Sequence, residues 1–162
     1  MVDAMTNAHR LKLLAAPPTA LLYLLCALPV NAASRALFAF IGLPCAQQSA
    51  VSGWEAMGVG ARTWALVLAI LISPPLEEIL FRWLLPKGLE RMRMTRPRAE
   101  GLAALLFAAV HRLPWAVPML TLFALAQSHC LKRVGLPFVI LVHACFNGLQ
   151  MLLLVFLHAS YA

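Results

Sequence analysis

Charge is scarce in this chain. Asp, Glu, Lys and Arg make up 12% of its 162 residues, and six of those are acidic. An ordinary soluble domain carries about 25% charged residues. Apolar residues fill 62% of the positions and the mean hydropathy is +0.83. A water-soluble fold of this size could not hide so much apolar surface, so lipid has to cover the excess. A disulfide framework is missing as well. Cys26, Cys45, Cys130 and Cys145 form no C-x-x-C pair and mostly sit in apolar runs, where they read as small core residues. There is no repeat, which excludes a solenoid, and no H-E-x-x-H, which removes the usual helical zinc motif.

The formal charge of +7 and the pI near 9.9 do not indicate a nucleic-acid partner, because no basic stretch is interleaved with aromatics. In a membrane chain the same excess marks cytoplasmic loops. Apolar runs at 13–30, 61–85, 99–111, 115–131 and 135–157 predict about five transmembrane helices. The fold class expected is all-α, a polytopic integral membrane bundle with a four-helix core at 61–157. Residues 1–60 then form an N-terminal membrane helix and an interfacial segment, the short apolar piece 36–43 being too brief to span. Val30-Asn31-Ala32 resembles a signal-peptide cleavage site, but Pro17-Pro18 early in the run and the membrane character of the rest favour an uncleaved helix. With the N-terminus inside, Arg10, Lys12, Lys87, Arg91, Arg93, Arg96, Arg98, Lys132 and Arg133 lie on the cytosolic side. Only Arg35, Arg62 and Arg112 lie outside. That bias sets the expected topology of a multi-pass inner (plasma) membrane protein with a cytoplasmic N-terminus.

Against this apolar background a few residues are costly. Glu77, Glu78 and Arg82 interrupt the second span in Ser73-Pro-Pro-Leu-Glu-Glu-Ile-Leu-Phe-Arg-Trp. Each ionisable group at mid-membrane costs about 2.5 to 3.5 kcal/mol even on insertion scales. Glu78 and Arg82, four apart with Glu first, suit an ion pair on one helix face, while Glu77 points about 100° away. Pro74 and Pro75 remove backbone donors beside the carboxylates and predict a kink. His111 shares a face with Phe107, and His143 shares one with Asn147. Singly, each reads as a charge at a helix end or a polar side chain bonding a neighbouring helix. With a 1.5 Å rise per residue, however, Glu77, His111, His143 and Asn147 all lie about 12 to 18 Å from the basic loops. One polar site inside the bundle, open to the cytosol through a cavity, is expected.

Two carboxylates, two imidazoles and an amide, with no Ser or Cys in the set, point to water as a nucleophile. A carboxylate in an apolar site serves as general base, a His holds the water and passes a proton, and a His with an Asn donates to an oxyanion. The ordered motifs E-E-x-x-x-R, F-x-x-x-H and H-x-x-x-N, over roughly residues 60 to 157, resemble the CPBP family of CAAX proteases and bacteriocin-processing enzymes. The resemblance implies an intramembrane glutamic endopeptidase acting on a membrane-anchored protein or peptide in the lipid bilayer. By it, Glu77 and His111 activate water, His143 and Asn147 form the oxyanion hole, and Glu78 with Arg82 is an orienting pair. Many members carry more helices before the first motif. No cofactor and no metal ligand are expected. A zinc-dependent membrane protease, a non-catalytic self-immunity or chaperone-like member, and a proton-coupled transporter stay open as alternatives.

Overall fold

The computed structural model describes residues 13–45 and 53–159, and among them there are helices and turns and no strand. Arg10 and Lys12, counted above for orientation, lie outside the described residues. Five helices form the bundle: α1 (Ala16–Phe40), α2 (Val59–Arg91), α3 (Arg96–Val110), α4 (Val117–Val134) and α5 (Leu136–Ala159). Of these α1, α2 and the Leu136–Leu153 stretch of α5 are long and apolar enough to cross a membrane. The 15 residues of α3 reach about 22 Å, short of the roughly 30 Å hydrocarbon core.

The separate interfacial piece expected at 36–43 does not exist as such. Helix α1 runs without a break through Pro29 to Phe40. In lipid an interrupted backbone would leave donors and acceptors unpaired, so the helix persists past Pro29 and Asn31. Its far end is anchored by the Arg35 guanidinium, 4.8 Å above the Trp115 ring. The buried face of α1 is Ala16, Ala20, Leu24 and Ala27, a stripe of mostly small side chains that lets it lie close on α5. Tyr23, between these positions, bonds Cys130 Sγ at 3.2 Å and ties α1 to α4.

The prolines of α2 act more specifically than a kink. The helix is α-helical at Val59–Val67, π-helical at Leu68–Ile72, α-helical at Ser73–Glu78 and π-helical again at Ile79–Leu84. The Ser73 N–H donates to the Leu68 carbonyl, five residues back. The next donor in that register would be Pro74, which has none. The Ala69 carbonyl is therefore left without a helical donor. The same happens one segment on: the Leu85 N–H reaches back to Leu80, and Pro86 follows. Such π-turns recur at functional sites because they free backbone groups.

Two sets of contacts define the ends of the bundle. At one end Arg96 reaches Glu100 at 2.6 Å and Glu90 at 3.3 Å, and Lys132 Nζ lies 2.6 Å from Glu100. These join the end of α2, the start of α3 and the end of α4, so the basic loops at 87–98 and 132–133 share one end, as expected. Gly135, at φ +106°, then turns the chain into α5, a backbone state open to glycine and rarely to other residues. The opposite end holds Arg35, Trp115 and the start of α2. Between the ends, Phe81, Phe107, Phe123 and Phe146 form a ring-on-ring core. Phe81–Phe107 centroids lie 5.6 Å apart edge-on and Phe123–Phe146 4.7 Å apart stacked.

Candidate active site

Midway along α2 the adjacent carboxylates separate. Glu78 is fully buried, and His143 Nδ1 donates to its Oε1 at 2.8 Å. Its other oxygen faces Arg82 Nε at 3.5 Å, one helical turn on. That distance is electrostatic contact, longer than a good hydrogen bond. The Arg82 guanidinium, 2% exposed, also sits 4.3 Å over the Phe107 ring, a cation–π contact strengthened by the dry surroundings. Glu77, a hundred degrees around the helix, keeps 27% of its side chain exposed and faces a cavity, with Oε2 3.7 Å from His143 Nε2. His143 thus stands between the two acids, and its ring is wedged edge-on by Phe123 at 5.0 Å and Phe107 at 6.0 Å.

The other polar residues come in from α3 and α5. His111 Nδ1 lies 2.8 Å from the Phe107 carbonyl. A carbonyl only accepts, so Nδ1 is the donor here, and in the tautomer that carries only that proton Nε2 is the acceptor. Asn147 donates Nδ2–H to the Ala69 carbonyl at 2.8 Å. This is the acceptor that Pro74 strands in the π-turn. One amide hydrogen of Asn147 is spent there, and the second remains for a guest. Glu77, His111, His143 and Asn147 all line one cavity of about 670 Å³, as the sequence spacing predicted. Glu78 and Arg82 lie behind its wall.

Glu77 has its short imidazole contact with His143, because α5 crosses α2 at the carboxylates while His111 caps the end of α3. One expectation changes: the cavity, expected on the side of the basic loops, lies toward the other end of the bundle. Its lining comes from Met57 to Glu77 along α2, from the end of α3, from the first turns of α4 and from His143 to Met151 of α5. All of these belong to the half of the bundle away from the basic loops. The reason is packing. No residue of Val59–Val67 is buried, so that stretch stands off its neighbours. At the basic end Phe81, Arg82, Pro86 and the Glu100 ion pairs close the structure.

Residues 59–149, more than half of the chain, match the family described as type II CAAX prenyl endopeptidase Rce1-like. The chain belongs to that family. No curated protein and no solved structure matches it. The Rce1-like region begins with α2 and ends in α5, so it contains all six polar residues. Membership makes the chain a membrane protein of a peptidase family.

The sequence analysis did not single out several polar residues, among them Gln150 at the cavity and Gln127 in the Rce1-like region. Gln127 of α4 is fully buried and donates Nε2–H to the Val139 carbonyl at 2.8 Å. Val139 lies four residues before His143, so its carbonyl is also the helical acceptor of the His143 N–H. Phe123, which wedges the His143 ring, lies one turn before Gln127 on the same face of α4. Helix α4 therefore holds His143 at both its ring and its backbone. A lone Gln in an apolar helix signals only a hydrogen bond to some neighbour; the partner emerges from the helix crossing.

Proposed function

We propose that the protein is an intramembrane endopeptidase that hydrolyses a peptide bond of a membrane-anchored protein or peptide by glutamate-activated water. The observation that carries this is the division of labour between the paired acids: Glu77 at the cavity wall, Glu78 buried against His143 and Arg82. Glu77 is the general base for a water that His111 Nε2 helps to hold. Attack on the scissile carbonyl forms a tetrahedral oxyanion, which accepts hydrogen bonds from His143 Nε2–H and the free amide hydrogen of Asn147. Two acidic side chains, Glu77 and Glu78, face two basic ones, Arg82 and His143, so each carboxylate in the dry layer has a donor beside it. The proton taken by Glu77 then goes to the leaving amine. On this reading the protein sits in the plasma (inner) membrane with its N-terminus cytoplasmic, which the bias of Lys and Arg toward one end of the bundle supports.

No cofactor enters this scheme. Strong chelation is expected to leave the purified protein's cleavage rate unchanged once detergent effects are controlled. A loss that added zinc restores moves the site to the metalloprotease class. The proposal also gives Gln127 a measurable part. Gln127→Leu removes one hydrogen bond but also a buried amide oxygen that has no partner among the described residues, so stability should change by less than about 1.5 kcal/mol. The cleavage rate should fall by about tenfold or more at unchanged KM, since small displacements of a catalytic group are costly. Unchanged kcat would assign Gln127 to packing alone.

A further inference from the structure

The direction in which the cavity opens bears on what the enzyme cleaves. Along α2 the lining starts at Met57, before the first turn, and stops at Glu77; along α5 it starts at His143 and continues toward the far end. Nothing on the basic-loop side of the two carboxylates contributes. At the open end the wall is a stretch with no buried residue, and Trp64 within it is 59% exposed. The cleft is therefore open sideways to the bilayer as well as upward to the membrane surface. The basic side chains gather at the closed end. Lys87, Arg91, Arg93, Arg96, Arg98, Lys132 and Arg133 are there, against Arg35, Arg62 and Arg112 at the open end. Lys and Arg near helix ends stay on the cytoplasmic side.

We infer that substrate enters from the non-cytoplasmic half of the membrane, and that the substrate is an apolar anchor segment of an exported polypeptide. This rests on the peptidase reading for what happens at the site, but not for which way the site faces. Three features of the cleft fit such an occupant. Its outer walls are largely apolar, with Met57, Trp64, Leu68 and Met151 beside the single amide of Gln150, and its ionisable groups lie at the floor. Its side is open to lipid, so a segment can slide in without leaving the bilayer. Its floor lies about 27 Å along α2 from Val59 and about 15 Å from Lys87, so it meets a bond inside the bilayer, and the packed basic end closes the shorter way in.

The test begins with a variant in which Cys26, Cys45, Cys130 and Cys145 are replaced by Ser or Ala, carrying one new cysteine at Ala61, Trp64, Arg93 or Lys132. A sulfonated, membrane-impermeant maleimide is added to right-side-out and to inverted vesicles, and labelling is read as a mass shift. Cysteines at positions 61 and 64 should label in right-side-out vesicles, and those at 93 and 132 in inverted ones. Labelling of position 61 or 64 from the inverted side alone overturns the inference. If the cysteine-free protein fails to insert, a protease site inserted at Arg93 and digestion from each side answers the same question. The substrate class is read by comparing polypeptide termini in membranes with and without the active protein. New termini should fall in anchor or exported segments, and confinement to cytoplasmic segments overturns the class. Labelling needs no turnover, so a protein with the expected labelling and no new termini would sink the peptidase reading while the orientation stood.

Discussion

Glu77→Gln is expected to lower the cleavage rate by about 10² to 10⁴-fold, the usual worth of a general base, while insertion and thermal stability stay close to the parent. The amide has the same shape and can still fill the cavity wall, but it cannot take a proton from water. Stability is expected to hold because Glu77 is the exposed member of the acidic pair, with no short ion pair to Arg82. The measurement is cleavage of a reporter in proteoliposomes together with thermal unfolding in detergent. The variant also separates the alternatives. A transporter predicts no peptide cleavage by either protein, and a non-catalytic immunity protein predicts that the variant still protects cells. Wild-type cleavage by Glu77→Gln would remove Glu77 from the role of base, whatever the family.

Much of this arrangement was legible in the sequence because the bilayer penalises polar groups so heavily. In a soluble helix, E-E-x-x-x-R carries almost no information. In an apolar span each charge needs a partner, and spacing alone assigns Glu78 to Arg82 and turns Glu77 away, as the geometry bears out. The common depth of Glu77, His111, His143 and Asn147 followed from the helical rise, and they do share a cavity. Other features depend on how helices cross, which spacing does not encode. Which imidazole meets Glu77, and which carbonyl Gln127 finds, are properties of the bundle. So is the open end of the cleft, which follows from the weak packing of Val59–Val67. The end of α1 differs for another reason. The apolar run stops at residue 30, but in the fold Arg35 lies on Trp115 and the helix runs on to Phe40. One signal was present and unread: a proline five residues after Ala69, and another five after Phe81, each matching a π-turn.

The buried half of the acidic pair should respond to mutation in the opposite way to Glu77. Glu78→Gln keeps an oxygen to accept from His143 Nδ1, so the ring has a partner, but it takes away the only carboxylate in close contact with the Arg82 guanidinium among the described residues. A charge left unpaired in a dry interior costs about 3 to 5 kcal/mol, and the Phe107 face, worth about 2 kcal/mol when desolvated, offsets only part of it. Glu78→Gln should therefore lose both stability and activity. Adding Arg82→Met removes the stranded charge, fills similar volume, and places a thioether against Phe107, a contact worth about 0.3 to 1.5 kcal/mol. The double variant should recover most of the lost stability, read as the thermal midpoint in detergent. Its cleavage rate should stay low, because the carboxylate charge of Glu78 beside His143 Nδ1 is not restored. Equal recovery of stability and rate would mean that Glu78 serves folding alone. A Glu78→Gln protein as stable as the parent would mean that the pair at 3.5 Å contributes little, and that water reaches the Arg82 guanidinium in the membrane.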